Sequence, residues 1–186
     1  FKMPTTCPID GSKVVVDGVI HRCSNPKCGA RHKESLYHFV SRHAFDISGL
    51  GPQIIDRFLD EGLINDAADI FELRMGDIQV LERFGKKSAE NIVSEIAEKK
   101  KIALSKFIYS LGILHVGEET ALLLAKQLTT NNKQLIINKF QKEMQELSLE
   151  KLQEIPDIGP KVAQSIYDWF HDARNIRLLE KFEKIG

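Results

Sequence analysis

From about residue 33 onward, apolar residues recur at spacings of three and four, the period of helices that bury one face. Four stretches carry it most clearly: Ile54, Ile55, Phe58, Leu59; Ala89, Ile92, Val93, Ile96; Ala121, Leu124, Ala125, Leu128; and Val162, Ala163, Ile166, Phe170. The pattern ahead of them is different. Val14-Val15-Val16 and Val19-Ile20 flank Asp17-Gly18, and Asp-Gly between β-branched runs predicts a tight hairpin near residues 13–22. The expected fold class is mainly α, with a small N-terminal β-hairpin in the segment that holds all three cysteines.

Each of the four periodic stretches follows a similar short passage. These are Ile47-Ser48-Gly49-Leu50-Gly51, Leu81-Glu82-Arg83-Phe84-Gly85, Ile113-Leu114-His115-Val116-Gly117 and Ile155-Pro156-Asp157-Ile158-Gly159. The closing glycines are 34, 32 and 42 residues apart. The longest interval contains Thr129-Thr130-Asn131-Asn132, read as a polar connector before an extra helix near 133–146. The unit is helix, tight turn, helix. The apolar residue before each closing glycine is expected to plug the space between the two helices. Glycine itself is expected to supply φ > 0. Pro52 and Pro160 suit the first turn of the helix that follows.

This unit resembles the helix-hairpin-helix motif, repeated as two tandem (helix-hairpin-helix)2 units at about 44–101 and 102–186. The turn leaves unpaired backbone N–H groups at the N-terminus of the second helix, and these donors, with the helix dipole, suit an anion. A phosphate of double-stranded DNA fits there, and a neighbouring lysine adds a contact. Candidate DNA-binding residues are Gly49, Gly51, Gly85, Lys86, Lys87, Gly117, Gly159 and Lys161. Glu118 and Glu119 make the third turn the least suited electrostatically. One glycine between helices is more often a simple cap than a phosphate site. Four at near-regular spacing favour an array.

Composition narrows the choice of partner. The chain has 186 residues, 42% hydrophobic and 28% charged, which excludes disorder as the main state. No apolar run approaches the ~20 residues of a membrane span. Lys+Arg and Asp+Glu are 26 each, so any nucleic-acid contact depends on local charge. Residues 1–43 hold seven basic and three acidic residues, residues 44–128 ten and fourteen, and residues 129–186 nine of each. The basic excess accompanies the cysteines.

Those cysteines read Cys7-x2-Asp10-x12-Cys23-x4-Cys28. Two knuckles across a short hairpin are zinc geometry, with Asp10 where a fourth sulfur is expected. Carboxylate is a harder ligand than thiolate. His32 and His21 are further candidates for the fourth position. The candidate metal ligands are Cys7, Asp10, Cys23 and Cys28, in a zinc-finger-like knuckle at 1–32 followed by a helical domain at 33–186. Three cysteines make no disulfide framework, which points to a reducing, cytoplasmic setting. The remaining histidines, His38, His43, His115 and His171, are expected to be ordinary surface or interface residues. Lys13-Val14-Val15-Val16-Asp17-Gly18 differs by two residues from the Lys-x-Asp-Gly of nucleotidyltransferases and is rejected as an adenylation motif. Lys99-Lys100-Lys101 reads as a solvated helix end.

A cysteine knuckle, Asn25-Pro26, a basic helix and four such hairpins together look like the C-terminal half of a bacterial NAD-dependent DNA ligase. The stretches that carry the likeness are Cys23-Ser24-Asn25-Pro26-Lys27-Cys28, Asp46-Ile47-Ser48-Gly49-Leu50-Gly51, 81–89 and 111–121. The resemblance implies a parent enzyme that seals nicks by lysine adenylation from NAD, AMP transfer and 3′-hydroxyl attack, with Mg2+. It also implies that this chain, read as a monomeric fragment of a longer protein, grips nicked duplex DNA without catalysing the reaction. Asp10 in place of the family's second zinc cysteine, and Gly29 where proline is usual, are departures. The rival readings are a helical protein-interaction module and the DNA-binding tail of a repair nuclease. The nuclease reading leaves the cysteine hairpin unexplained.

Overall fold

A computed structural model describes residues 2–129 and 137–185. Residues 130–132 of the polar connector expected at 129–132, and residues 133–136 of the extra helix expected near 133–146, lie outside the described residues. Strands β1 (Val14–Asp17) and β2 (Ile20–Cys23) form an antiparallel pair in the register Val14↔Cys23 to Asp17↔Ile20. Among the described residues this is the only sheet. Its two-residue loop is Gly18-Val19, not the Asp17-Gly18 of the sequence reading, and Gly18 has φ 61°. Glycine at the first loop position is the demand of a II′ turn. Asp17 is therefore the last strand residue, and its side chain has no part in the turn.

Ten helices follow among the described residues: α1 (Gly29–Val40), α2 (Pro52–Asp60), α3 (Met75–Gln79), α4 (Lys86–Lys99), α5 (Leu104–Ser110), α6 (Glu118–Thr129), α7 (Ile137–Glu146), α8 (Leu149–Gln153), α9 (Pro160–His171) and α10 (Ala173–Ile185). A 3-10 turn at Asp69–Glu72 joins α2 to α3. No described helix is long and apolar enough to cross a membrane. Helix α1 begins at Gly29 because Cys28 caps it, so the knuckle runs directly into the helical part. Helix α2 ends where Gly62 adopts φ 69°, with Leu63 N–H donating to Phe58 O at 2.9 Å and Gly62 N–H to Leu59 O at 3.0 Å. That is a Schellman stop, which needs a left-handed residue after the helix.

The helices pair as α1/α2, α3/α4, α5/α6 and α8/α9, and one continuous apolar cluster holds all of them. A row of phenylalanines runs through it. Phe45 stacks on Phe39 at 4.4 Å, Phe39 on Phe182 at 5.7 Å, and Phe182 meets Phe107 edge-on at 5.6 Å. Phe107 then meets Phe140 at 6.0 Å and Phe140 meets Phe170 at 5.4 Å. Phe182, on α10, thus lies between the two halves of the array. Burying such a ring contributes about 2–3 kcal/mol. Lys181, beside it, reaches Asp66 at 2.6 Å and Asp69 at 2.5 Å. Burial works against its charge, but those two carboxylates hold its pKa above the ordinary value.

Candidate nucleic-acid interface and cysteine centre

The four turns have one backbone. The fourth residue donates its N–H to the carbonyl of the first: Leu50 to Ile47 at 3.3 Å, and Phe84 to Leu81, Val116 to Ile113 and Ile158 to Ile155 at 3.1 Å each. The closing glycine then accepts from the buried residue four positions on, as Ile55 to Gly51, Ala89 to Gly85, Ala121 to Gly117 and Ala163 to Gly159, at 2.9 to 3.1 Å. Ile55, Ala89, Ala121 and Ala163 are all 0% exposed. Leu50, Val116 and Ile158 are buried and Phe84 is half-buried, so the expected plug is present in each turn.

The structure corrects the role given to the closing glycines. The left-handed residue is the third of each turn: Gly49 at φ 87°, Arg83 at 72°, His115 at 65° and Asp157 at 65°. Gly51, Gly85 and Gly159 cap their helices with φ of −74°, −86° and −77°, which any residue adopts. The sequence held a clue, since glycine occupies the third slot only in the first turn. There a β-carbon on Gly49 would lie 3.5 Å from Ile92 Cγ1. A β-carbon on Gly51, Gly85, Gly117 or Gly159 would meet nothing within 4 Å. All four are exposed, and their N–H groups make no hydrogen bond with another described residue. Each stands at the open N-terminus of a helix of nine or more residues. Internal packing and backbone strain therefore do not explain the missing side chains, although glycine is itself a tolerable cap.

Charge around the turns is uneven. Arg83, Lys86 and Lys87 are exposed at the second, where Lys86 has only a 3.9 Å contact with Glu90. The third is followed by Glu118 and Glu119, and Glu118 lies 3.1 Å from His43 Nδ1. The first docks on α4, with Ser48 N–H donating to Glu95 at 3.3 Å and Lys99 lying 3.4 Å from Asp46. Lys161, beside the fourth, lies 3.4 Å from Asp17 of the knuckle. Of the other histidines, His38 Nε2 lies 2.8 Å from Tyr109 O, and His171 stacks on Tyr167.

The knuckle brings Cys7, Asp10, Cys23 and Cys28 together, with their ligand atoms all within 4.8 Å of one another. Neither His21 nor His32 belongs to this group. A hydrogen bond from Gly11 N–H to Cys7 O at 2.9 Å forms the first knuckle, and one from Cys28 N–H to Asn25 O at 3.2 Å forms the second. Cys7 and Cys28 sulfurs are 3.7 Å apart, and Cys23 Sγ is 3.5 Å from Asp10 Oδ1. Around a tetrahedral zinc with bonds near 2.3 Å to sulfur and 2.0 Å to oxygen, those edges are about 3.8 and 3.5 Å. The donor set therefore fits a closed four-ligand metal site.

Neighbouring groups orient the donors. Ser12 N–H donates to Asp10 Oδ1 at 3.0 Å and Asn25 Nδ2 to Oδ2 at 2.9 Å, while Asn25 N–H points at Cys23 Sγ at 3.4 Å. The Ser12 amide, more than any other group, keeps the Asp10 carboxyl far below the usual carboxylate range. N–H groups of Arg31 and Ala30 at the start of α1 lower the Cys28 pKa against the effect of burial. Desolvation first, then the neighbouring cysteines and Asp10, push Cys23 up to about 11. Crowded donors that resist losing their protons together gain most from a cation between them. Asn25 and Ser12 were not among the residues proposed for the site from sequence.

Residues 106–179 match the family described as helix-hairpin-helix motif, and residues 41–98 match the SAM-like helix-hairpin-helix tandem. The whole chain aligns, at 40% identity, with proteins named DNA ligase in Desulfitobacterium hafniense strains DSM 10664 / DCB-2 and Y51. A DNA ligase of Koribacter versatilis strain Ellin345 is 39% identical over the same span. Together these likenesses fit a C-terminal segment of a bacterial DNA ligase. It spans about a quarter of the length of these relatives, 27% in the Desulfitobacterium proteins and 26% in the Koribacter protein. Both family matches lie in the helical part and each includes two of the four turns.

Proposed function

We propose that this chain grips the backbone of duplex DNA, without regard to base sequence, within an NAD-dependent DNA ligase that seals nicks. The observation that carries this is the set of four exposed closing glycines, with free N–H groups and empty space where a β-carbon would stand. Missing side chains that the fold does not require allow a phosphate to approach the helix N-terminus. Gly51, Gly85, Gly117 and Gly159 offer backbone donors, Gly49 shapes the first turn, and Lys86, Lys87 and Lys161 supply charge. The knuckle at 1–32 carries the metal and the helices at 33–186 carry the DNA contacts. Adenylation by NAD with Mg2+ belongs to other parts of the ligase, which acts in the cytoplasm, and this chain is a monomer.

Fluorescence anisotropy on nicked and intact duplexes at low salt tests the reading. The expected Kd is about 10⁻⁴ to 10⁻⁶ M, the range of non-specific binding, with little dependence on sequence. Gly85→Ala and Gly159→Ala should weaken binding while circular dichroism stays that of the parent, because neither site has a steric reason for glycine. If both folded variants bind as the parent does, the turns are purely structural and a protein-interaction role is the better account.

The fitted donor set implies Zn2+ held by Cys7, Asp10, Cys23 and Cys28, in a structural role, since all four positions are filled by protein. Protein purified without chelator should contain close to one equivalent of zinc. Less than a tenth of an equivalent would exclude the site.

A further inference from the structure

The end of β1 lies against the helical array. Asp17 Oδ1 is 3.4 Å from Lys161 Nζ, and its Oδ2 is 3.7 Å from His115 Nε2. Lys161 is the second residue of α9, directly after Gly159 and Pro160. His115 is the left-handed residue of the third turn. One carboxylate, 144 residues away in sequence from Lys161, thus bridges two of the four turns. His115 also lines a groove of about 770 Å³, together with Val14, His21, Arg22, Val116 and Gly117.

Strand chemistry does not account for Asp17. Aspartate is disfavoured in strands, and the hairpin loop needs glycine at position 18 only. Among the described residues, Asp17 is the sole carboxylate within 4 Å of Lys161. The pair is also weakly held, with side chains 80% and 44% exposed. Surface pairs of this kind contribute little and exchange readily for a stronger partner. A phosphate entering at Gly159 is such a partner, because it adds backbone donors and the helix dipole to the same ammonium group.

We infer that Asp17 is an internal competitor for the DNA phosphate at the fourth turn, so that duplex binding displaces the β-hairpin from Lys161. This rests on the DNA-binding reading above. The third turn remains shared with the knuckle, consistent with its acidic surroundings. In the free chain the carboxylate screens the lysine, and nearby anions of low affinity are excluded.

Zero-length carbodiimide coupling tests the pair directly. It joins a carboxyl and an amine already in contact, and peptide mapping by mass spectrometry locates the bond. An Asp17–Lys161 cross-link is expected in the whole chain without DNA, falling several-fold when the chain is saturated with a nicked duplex. Asp17→Asn, which keeps the strand and its loop, should tighten duplex binding about two- to five-fold, the scale of an exposed ion pair. In a Lys161→Gln background the same substitution should change nothing. An equal gain in both backgrounds, or a cross-link that persists with bound duplex, overturns the competition alone. No duplex binding in either the parent or Asp17→Asn overturns the DNA reading itself.

Discussion

The second turn runs from Leu81 to Gly85 and the third from Ile113 to Gly117, each closed by a 3.1 Å hydrogen bond from the fourth residue to the first. Each has a non-glycine residue in the left-handed region, Arg83 and His115, and each leads to a fully buried alanine. Their surroundings are opposite. Lys86 and Lys87 follow Gly85 into solvent, whereas Glu118 and Glu119 follow Gly117 and the knuckle stands against His115. The buried positions that build the turn are separate from the exposed positions that give it charge. One backbone is thus open to different partners, and likeness of fold says little about which turn takes a phosphate.

The comparison breaks most readily at the lysines. Lys86→Gln together with Lys87→Gln should weaken duplex binding at least tenfold and lower the salt slope of log K by about 1.8. Glu118→Gln with Glu119→Gln should change the Kd by less than about threefold, since that turn is not a principal phosphate contact. Anisotropy titrations across a salt series measure both. A gain in affinity of about tenfold or more in the glutamate pair would mean that the third turn holds a phosphate as closely as the second.

Gly85→Ala and Gly117→Ala sharpen it at the backbone. Both should cost about 1 kcal/mol or less of stability, as a cap is replaced where nothing clashes. Gly85→Ala should lose about fivefold in affinity and Gly117→Ala less, because Glu118 and Glu119 make the phosphate contact at Gly117 the weaker of the two. Urea unfolding of each variant, beside its binding curve, separates the two effects.

The smallest effect tests what the turns share. Arg83→Gly and His115→Gly relieve the cost of a left-handed side chain and add freedom to the unfolded chain, so the terms largely cancel. Each should shift Tm by no more than about 2 °C, and by the same amount. Unequal shifts would show that the knuckle's contact with His115 stabilises the third turn in a way the second lacks.

Much of this architecture is legible along the chain. The β-hairpin, the four turns and the helices after them depend on short-range signals: Gly18, apolar residues three apart around each turn, and a three-four rhythm beyond it. The cysteine spacing likewise points to a cluster, and the structure places Asp10 beside the three cysteines. The slot of the left-handed residue is not legible in the same way, because glycine is visible while strain at Arg83, His115 or Asp157 is not. Those residues tolerate φ > 0 only because the buried apolar positions on either side leave the backbone no other path.

By itself, the sequence determined the local elements, since hydrogen bonding within a turn and burial of one helix face involve residues only a few positions apart. Only the tertiary structure decided which distant groups meet. Phe182 joins two halves of the core because α10 returns between them, and Lys181 reaches Asp66 and Asp69 for the same reason. Asp17 reaches Lys161 and His115 because the hairpin lies against the turns that precede α9 and α6. Contacts across more than a hundred residues follow from the direction in which whole helices pack, which has no local signature in the chain.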